Sequence, residues 1–170
     1  DVDGNIYLTD KDIKVLDGWN PKKQGRRALS ELTHARLGRR DVMISIQENG
    51  VLNLYSRRGN PMRGFPFDTK KETNSSYFLR PSNSLANSSL TILSKDGEIT
   101  ELNLEGDVIR KDQLIKTSAD ANFRLVSDTG GDSYIILRNE GNSYEVLDDT
   151  GNLLFQKDYL SDGPLFVQYY

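Results

Sequence analysis

The sequence predicts an all-β chain of repeated four-stranded meanders, and three observations carry that expectation. Glycine recurs at hairpin positions with separations of 44–47 residues, at Gly4, Gly50, Gly97 and Gly141. A second turn glycine follows the last three of these by 9 or 10 residues, at Gly59, Gly106 and Gly151. Short β-branched runs lie between them, in a chain with 36% apolar residues and 14 glycines among 170 residues. Low apolar content with frequent turn residues favours half-exposed strands over helices.

The elements follow in order. Gly4-Asn-Ile-Tyr-Leu-Thr9 opens the first repeat, and Asp10-Lys-Asp12 holds its turn before an apolar stretch over 13–19. The second repeat carries the run Asp41-Val-Met-Ile-Ser-Ile46, the turn Glu48-Asn-Gly50, the strand Val51-Leu-Asn-Leu-Tyr55, and Pro61-Met-Arg-Gly-Phe65 after Gly59. The third has Ser89-Leu-Thr-Ile-Leu93, Lys95-Asp-Gly97, a strand over 98–102, and Val108-Ile109. The fourth has a run over 132–137, Asn139-Glu-Gly141, and Leu153-Leu-Phe155. Two-residue turns of this chemistry close hairpins. Weaker first-strand candidates lie upstream, at Ser76-Tyr-Phe-Leu79 and Asn122-Phe-Arg-Leu-Val126. Alternation places Leu52 and Leu54 on one face and Val51, Asn53 and Tyr55 on the other, so each sheet has a neighbour on both sides. Four strands per period of about 45 residues is the pattern of a β-propeller blade.

Counted this way, the sequence divides into a partial blade over 1–25, full blades over 26–67, 68–115 and 116–160, and the first strand of a further blade over 161–170. It reads as an incomplete or open part of a longer propeller, with self-association expected through unpaired end blades. Residues 26–37 fit two descriptions. Ala28, Leu29, Leu32 and Ala35 fall at helical spacing before Gly38, whereas the place in the repeat asks for a strand.

The second repeat, Gly50-Val-Leu-Asn-Leu-Tyr through Gly59-Asn-Pro-Met-Arg-Gly-Phe-Pro-Phe67, resembles the FG-GAP/VCBS class of propeller repeat. It is also similar to the quinoprotein (PQQ-type) blades of bacterial scaffold proteins. Only this repeat carries the Gly-Phe-Pro corner; Gly18-Trp-Asn-Pro21 is a looser match, and the last two repeats lack it. The resemblance implies a binding role, commonly extracytoplasmic, which places the protein in the periplasm or at the cell surface. Many FG-GAP blades hold calcium in an Asp-rich loop before the β-run. The loops here, 37–41, 86–90 and 129–132, keep one carboxylate, none and one, against the six or so oxygen ligands calcium takes. The metal is therefore not carried over, and no cofactor is expected.

The residues otherwise hold little chemistry. No cysteine is present, so there is neither a disulfide nor a thiolate site. His34 is the only histidine, which leaves a histidine-based metal site or a nucleophilic triad nothing to spare. Asp1-Val-Asp-Gly-Asn5 lacks the remaining ligands of a calcium loop, and Asp148-Asp149 suits a turn. No catalytic residue is assigned, and the chain is expected not to be an enzyme. No apolar run approaches the ~18–20 residues that span a bilayer.

Charge is the sharper feature. The net charge is −3, yet residues 1–63 carry 12 Lys/Arg against 8 Asp/Glu. Seven basic residues, Lys22, Lys23, Arg26, Arg27, Arg36, Arg39 and Arg40, cluster around the single acid Glu31. Inter-blade loops are where propellers bind, so this run is the candidate contact with a protein partner. Without interleaved aromatics for base stacking, nucleic acid is not the expected ligand. Trp19 is a candidate aromatic contact, or else a cap on the packing between blades. The expected function is a non-catalytic interaction or scaffold module of a larger bacterial protein. The alternatives are a carbohydrate-binding propeller and an accessory domain of an envelope enzyme.

Overall fold

A computed structural model describes residues 3–159 and 166–170. The described residues form strands and no helix. Two strands, β1 (Asn5–Ile6) and β2 (Lys22–Lys23), make the first sheet. The second contains β3 (Thr33–Leu37), β4 (Arg40–Ile46), β5 (Val51–Ser56) and β6 (Phe67–Asp68). The third contains β7 (Phe78–Arg80), β8 (Ser89–Leu93), β9 (Glu98–Asn103) and β10 (Val108–Gln113). The fourth contains β11 (Asn122–Ser127), β12 (Tyr134–Glu140), β13 (Ser143–Leu147) and β14 (Leu153–Asp158). In each four-stranded sheet, strands adjacent in sequence are antiparallel neighbours in space. These are propeller blades.

Period-2 alternation decides how the blades stack. Leu52 and Leu54 on β5, with Val42, Ile44 and Ile46 on β4, join Leu90, Ile92 and Leu102 of the third sheet in one buried cluster. Met43 and Tyr55, which alternate with them, turn the other way and pack on Trp19. A third cluster joins Phe78, Leu93 and Ile99 to Phe123, Leu125, Ile136 and Leu147 of the fourth sheet. Each fully buried Leu, Ile or Phe in these layers contributes about 1.5–3 kcal/mol.

The segment that fitted both helix and strand is a strand at its end. Thr33–Leu37 pairs in register with β4, from Thr33↔Ile44 to Leu37↔Arg40. The helical spacing has another cause: Leu29 and Ala35 pack on the cluster facing the third sheet, while Leu32 packs with Trp19 on the opposite side. A single helix face could not have served both.

The fourth strand also differs from expectation in the first two sheets. The apolar stretches at 13–19 and 61–65 are not themselves the strand; pairing resumes only at Lys22–Lys23 and Phe67–Asp68. Between the turn and that strand lies a corner closed by Trp19 N–H to Leu16 O at 3.0 Å, and again by Phe65 N–H to Met62 O at 3.1 Å. Trp19 and Phe65 are 46 residues apart, so the corner repeats with the hairpin. In the third and fourth sheets no such corner intervenes, and β10 and β14 follow the turn with one register shift each.

The corner glycine is a point of close approach between neighbouring blades. Gly64 has φ +81°, and a Cβ there would stand 2.3 Å from Glu105 O and 2.9 Å from Gly106 Cα of the third sheet's turn. Gly18 repeats the contact, with a Cβ position 2.1 Å from Arg58 O. At the opposite end, the linker after β6 ties successive blades together. Thr73 Oγ1 donates to Leu93 O at 2.7 Å, and Leu125 N–H donates to Ser75 Oγ at 3.1 Å. Lys71 pairs with Asp96 at 2.5 Å and Lys95 with Glu72 at 3.0 Å across the same linker. Such exposed ion pairs add little each, about 0–1 kcal/mol.

The expected strand over 161–170 falls partly on residues 160–165, which lie outside the described residues. Among residues 166–170, Tyr169 makes one isolated parallel bridge to Asp128.

Tyr77 lies in the core between the second and third sheets, and burial pushes its phenol up to about 12. An unfolded tyrosine ionises near 10. The neutral form is thus favoured by folding, and its contribution is complete below about pH 10 and is lost as pH rises toward about 12. Urea denaturation of Tyr77→Phe is expected to show a smaller stability loss than the parent between about pH 10 and about pH 12. Equal losses in both proteins would assign the alkaline sensitivity elsewhere.

Candidate functional site

Strands alternate in direction, so the turns after first and third strands leave each sheet at one end, and the second turns and the linkers at the other. This geometry divides the basic run. Arg26 and Arg27 lie in the linker that follows Lys22–Lys23. The Arg27 carbonyl accepts from Glu48 N–H at 3.1 Å, and Arg26 shares a cleft with Glu48, Glu72 and Lys95. Carboxylates already answer the cations there.

Arg36, Arg39 and Arg40 lie at the opposite end, on and beside the tight turn that joins β3 to β4. That end gathers further arginines. Arg57 and Arg58 form the turn after β5, and Arg63 lies in the corner that follows; all are exposed. The run of positive charge in sequence does not include these three. Their signal was the parity of the strands, which puts the first and third turns of a blade on one end.

The clefts at this end adjoin one another. Arg40 lines three of them, Met62 two, and Arg57 with Asp41 two. The one between the second and third sheets, about 370 Å³, has Leu85 and Leu104 in its floor, Met62, Arg40 and Arg63 on the second-sheet side, and Glu105 and Asp107 on the third. Leu85 is 7% exposed and Leu104 fully buried, so the floor is fixed by the core beneath it.

Asp41 is the acid that answers the arginine end directly. It lies 3.0 Å from His34 Nε2 and 3.3 Å from Arg36 Nη1. The hydrogen bond with His34 is the largest influence, and together with the charges of Arg36, His34 and Arg57 it outweighs the opposing effect of burial and holds the Asp41 carboxyl below the usual range. Among the described residues, Arg36 is the one arginine of these six that forms an ion pair. Among the described residues Arg39, Arg40, Arg57, Arg58 and Arg63 form no ion pair, although the Arg57 charge reaches Asp41.

Trp19 is not a surface contact. It is fully buried, donates from Nε1 to Arg57 O at 3.0 Å, and meets the Tyr55 ring edge-on at 5.4 Å. It therefore fixes the turn that carries Arg57 and Arg58 from below. Of the other acidic candidates, Asp148 accepts from Thr150 and Asn152, backbone and side chain, at 2.7–2.9 Å. Those bonds, led by the Thr150 and Asn152 side chains, hold its carboxyl far below the usual range and occupy it in a turn. Residues 1 and 2 of the acidic opening lie outside the described residues. No group of three His, Cys, Asp or Glu placed to hold a metal occurs among the described residues.

No family model matches the chain, and no curated protein matches it. Among solved structures it is similar to BBS1N, crystallised in complex with ARL6DN and soaked with lead, at 9% identity and a TM-score of 0.48. The likeness covers 98% of this chain, which spans 65% of that one, just under two thirds of its length.

Proposed function

We propose that the chain is a non-catalytic protein-interaction module, a stretch of a larger bacterial scaffold protein of the periplasm or cell surface. The observation that carries this reading is the arginine-rich end of the second blade. Two turns and a corner bring six arginines to one surface, and five of them are without an ion pair among the described residues. Long-range attraction of an acidic partner is what such a surface does best. The Gly-Phe-Pro corner supports assignment to FG-GAP/VCBS-like repeats, with PQQ-type blades as the neighbouring possibility. We read the blade boundaries near residues 25, 68 and 115, in keeping with the described sheets. On β14, Leu153, Leu154 and Phe155 remain 49–60% exposed, which supports pairing of the end blade with a further blade or another copy. The carbohydrate-binding alternative draws less support, because Trp19 is enclosed.

Affinity capture of a protein partner by the intact chain tests the reading. Reversal of both Arg39 and Arg40 to glutamate is expected to weaken capture by about tenfold or more at low salt, and added salt to weaken the parent likewise. Capture indifferent to both reversal and salt would overturn it.

A further inference from the structure

The clefts at the arginine end are chemically graded, and the gradient specifies an occupant. At the second-blade side Arg39, Arg40, Arg57, Arg58 and Arg63 are exposed, against Asp41, which is already engaged by His34 and Arg36. In the middle lies the apolar floor of Leu85 and Leu104, flanked by Met62. At the third-blade side the sign changes, with Glu105 and Asp107 on the turn after β9. Arg40 joins this cleft to its neighbours on both sides, so the surface is continuous across the seam.

We propose that this groove binds an extended peptide segment whose residues run acidic, then apolar, then basic, from the second blade to the third. The carboxylates meet the guanidinium groups, where bidentate hydrogen bonds are available. A leucine-sized side chain enters the cleft over Leu85 and Leu104, and a lysine meets Glu105 and Asp107. A uniform polyanion fits worse, because those two carboxylates repel it, and among the described residues no Phe, Tyr or Trp lines these clefts for base stacking. The inference rests on the interaction-module reading and names the partner's chemistry.

Fluorescence anisotropy of the intact chain with a labelled Glu-Glu-Asp-Leu-Ser-Lys-Lys peptide tests it. Binding is expected, about tenfold tighter than for a peptide of the same composition with its acidic and basic residues alternating, or with the leucine replaced by serine. Arg40→Glu combined with Glu105→Lys, which breaks the segregation of charge across the cleft, is expected to reduce that preference to less than about threefold. Thermal melts on the doubly substituted chain verify that it is folded, both positions being exposed. Equal binding of poly-glutamate, single-stranded DNA and the peptide would overturn the proposal in favour of a general anion surface. Absence of peptide binding, alongside charge-dependent capture of a protein partner, would overturn the inference and leave the interaction-module reading standing.

Discussion

Trp19→Ala is expected to be the most damaging single substitution, at about 3–5 kcal/mol from the lost side chain alone. The indole is fully buried between the first and second blades, where Met43 and Tyr55 pack on it and Ile6, Leu8 and Leu32 close round it. The first sheet has only two strands of two residues each among the described residues, so little else holds it in place. The substitution also removes the donor to Arg57 O, leaving a carbonyl beneath the turn without its partner. For a chain of this length the loss corresponds to a fall in Tm of roughly 6–20 °C, read by far-ultraviolet circular dichroism. Trp19→Phe keeps an aromatic against Tyr55 and loses the hydrogen bond, at about 1–2 kcal/mol. The pair separates packing from anchoring of the turn. If Trp19→Phe costs as much as Trp19→Ala, the hydrogen bond to the Arg57 carbonyl is the dominant contribution; if both are neutral, the first blade does not dock as described.

The repeat was legible because its requirements are local. A tight turn that needs positive φ selects glycine, and Gly50, at φ 78°, lies where the hairpin spacing put it. The β-branched run at 89–93 is a strand over that same span. What escaped was non-local. The corner after Gly59 displaces the fourth strand to Phe67–Asp68, since Gly64 is answered by the next blade and not by its own neighbours in sequence. The apolar positions of 26–37 imitate a helix because consecutive ones feed clusters on opposite sides of the blade. Charge misled for a related reason. Of the seven basic residues close in sequence, Lys22 and Lys23 form β2 of the first sheet, Arg26 and Arg27 lie in the linker at one end, and Arg36, Arg39 and Arg40 lie at the other, where Arg57, Arg58 and Arg63, distant in sequence, join them through the parity of the strands. Trp19 could have been placed inside from its 46-residue offset to Phe65, which is also buried.

Gly64→Ala is expected to destabilise by roughly 2–5 kcal/mol, from a left-handed backbone strain and an overpacked contact acting together. The strain follows from φ +81°; the overpacking follows from a Cβ 2.3 Å from Glu105 O, a backbone atom that yields only if the whole turn moves. Gly25→Ala separates the two. It has nearly the same φ, +77°, with nothing within 4 Å of its Cβ position, and is expected to cost about 1 kcal/mol. The difference in urea midpoint between the two, at unchanged m-value, measures the seam contact. Equal costs would mean that the second and third blades do not approach as closely as described. The contact matters for binding because Arg63 precedes Gly64 and Glu105 belongs to the turn it touches, so the two sides of the graded groove are set by this one approach. An alanine that forces the turn away widens the groove without altering any charge in it. Gly64→Ala, measured where it remains folded, is therefore expected to weaken the acidic–apolar–basic peptide while leaving salt-sensitive attraction of a simple polyanion intact. Equal loss of both would show that the arginines act as a diffuse charge and that the spacing across the seam carries no specificity.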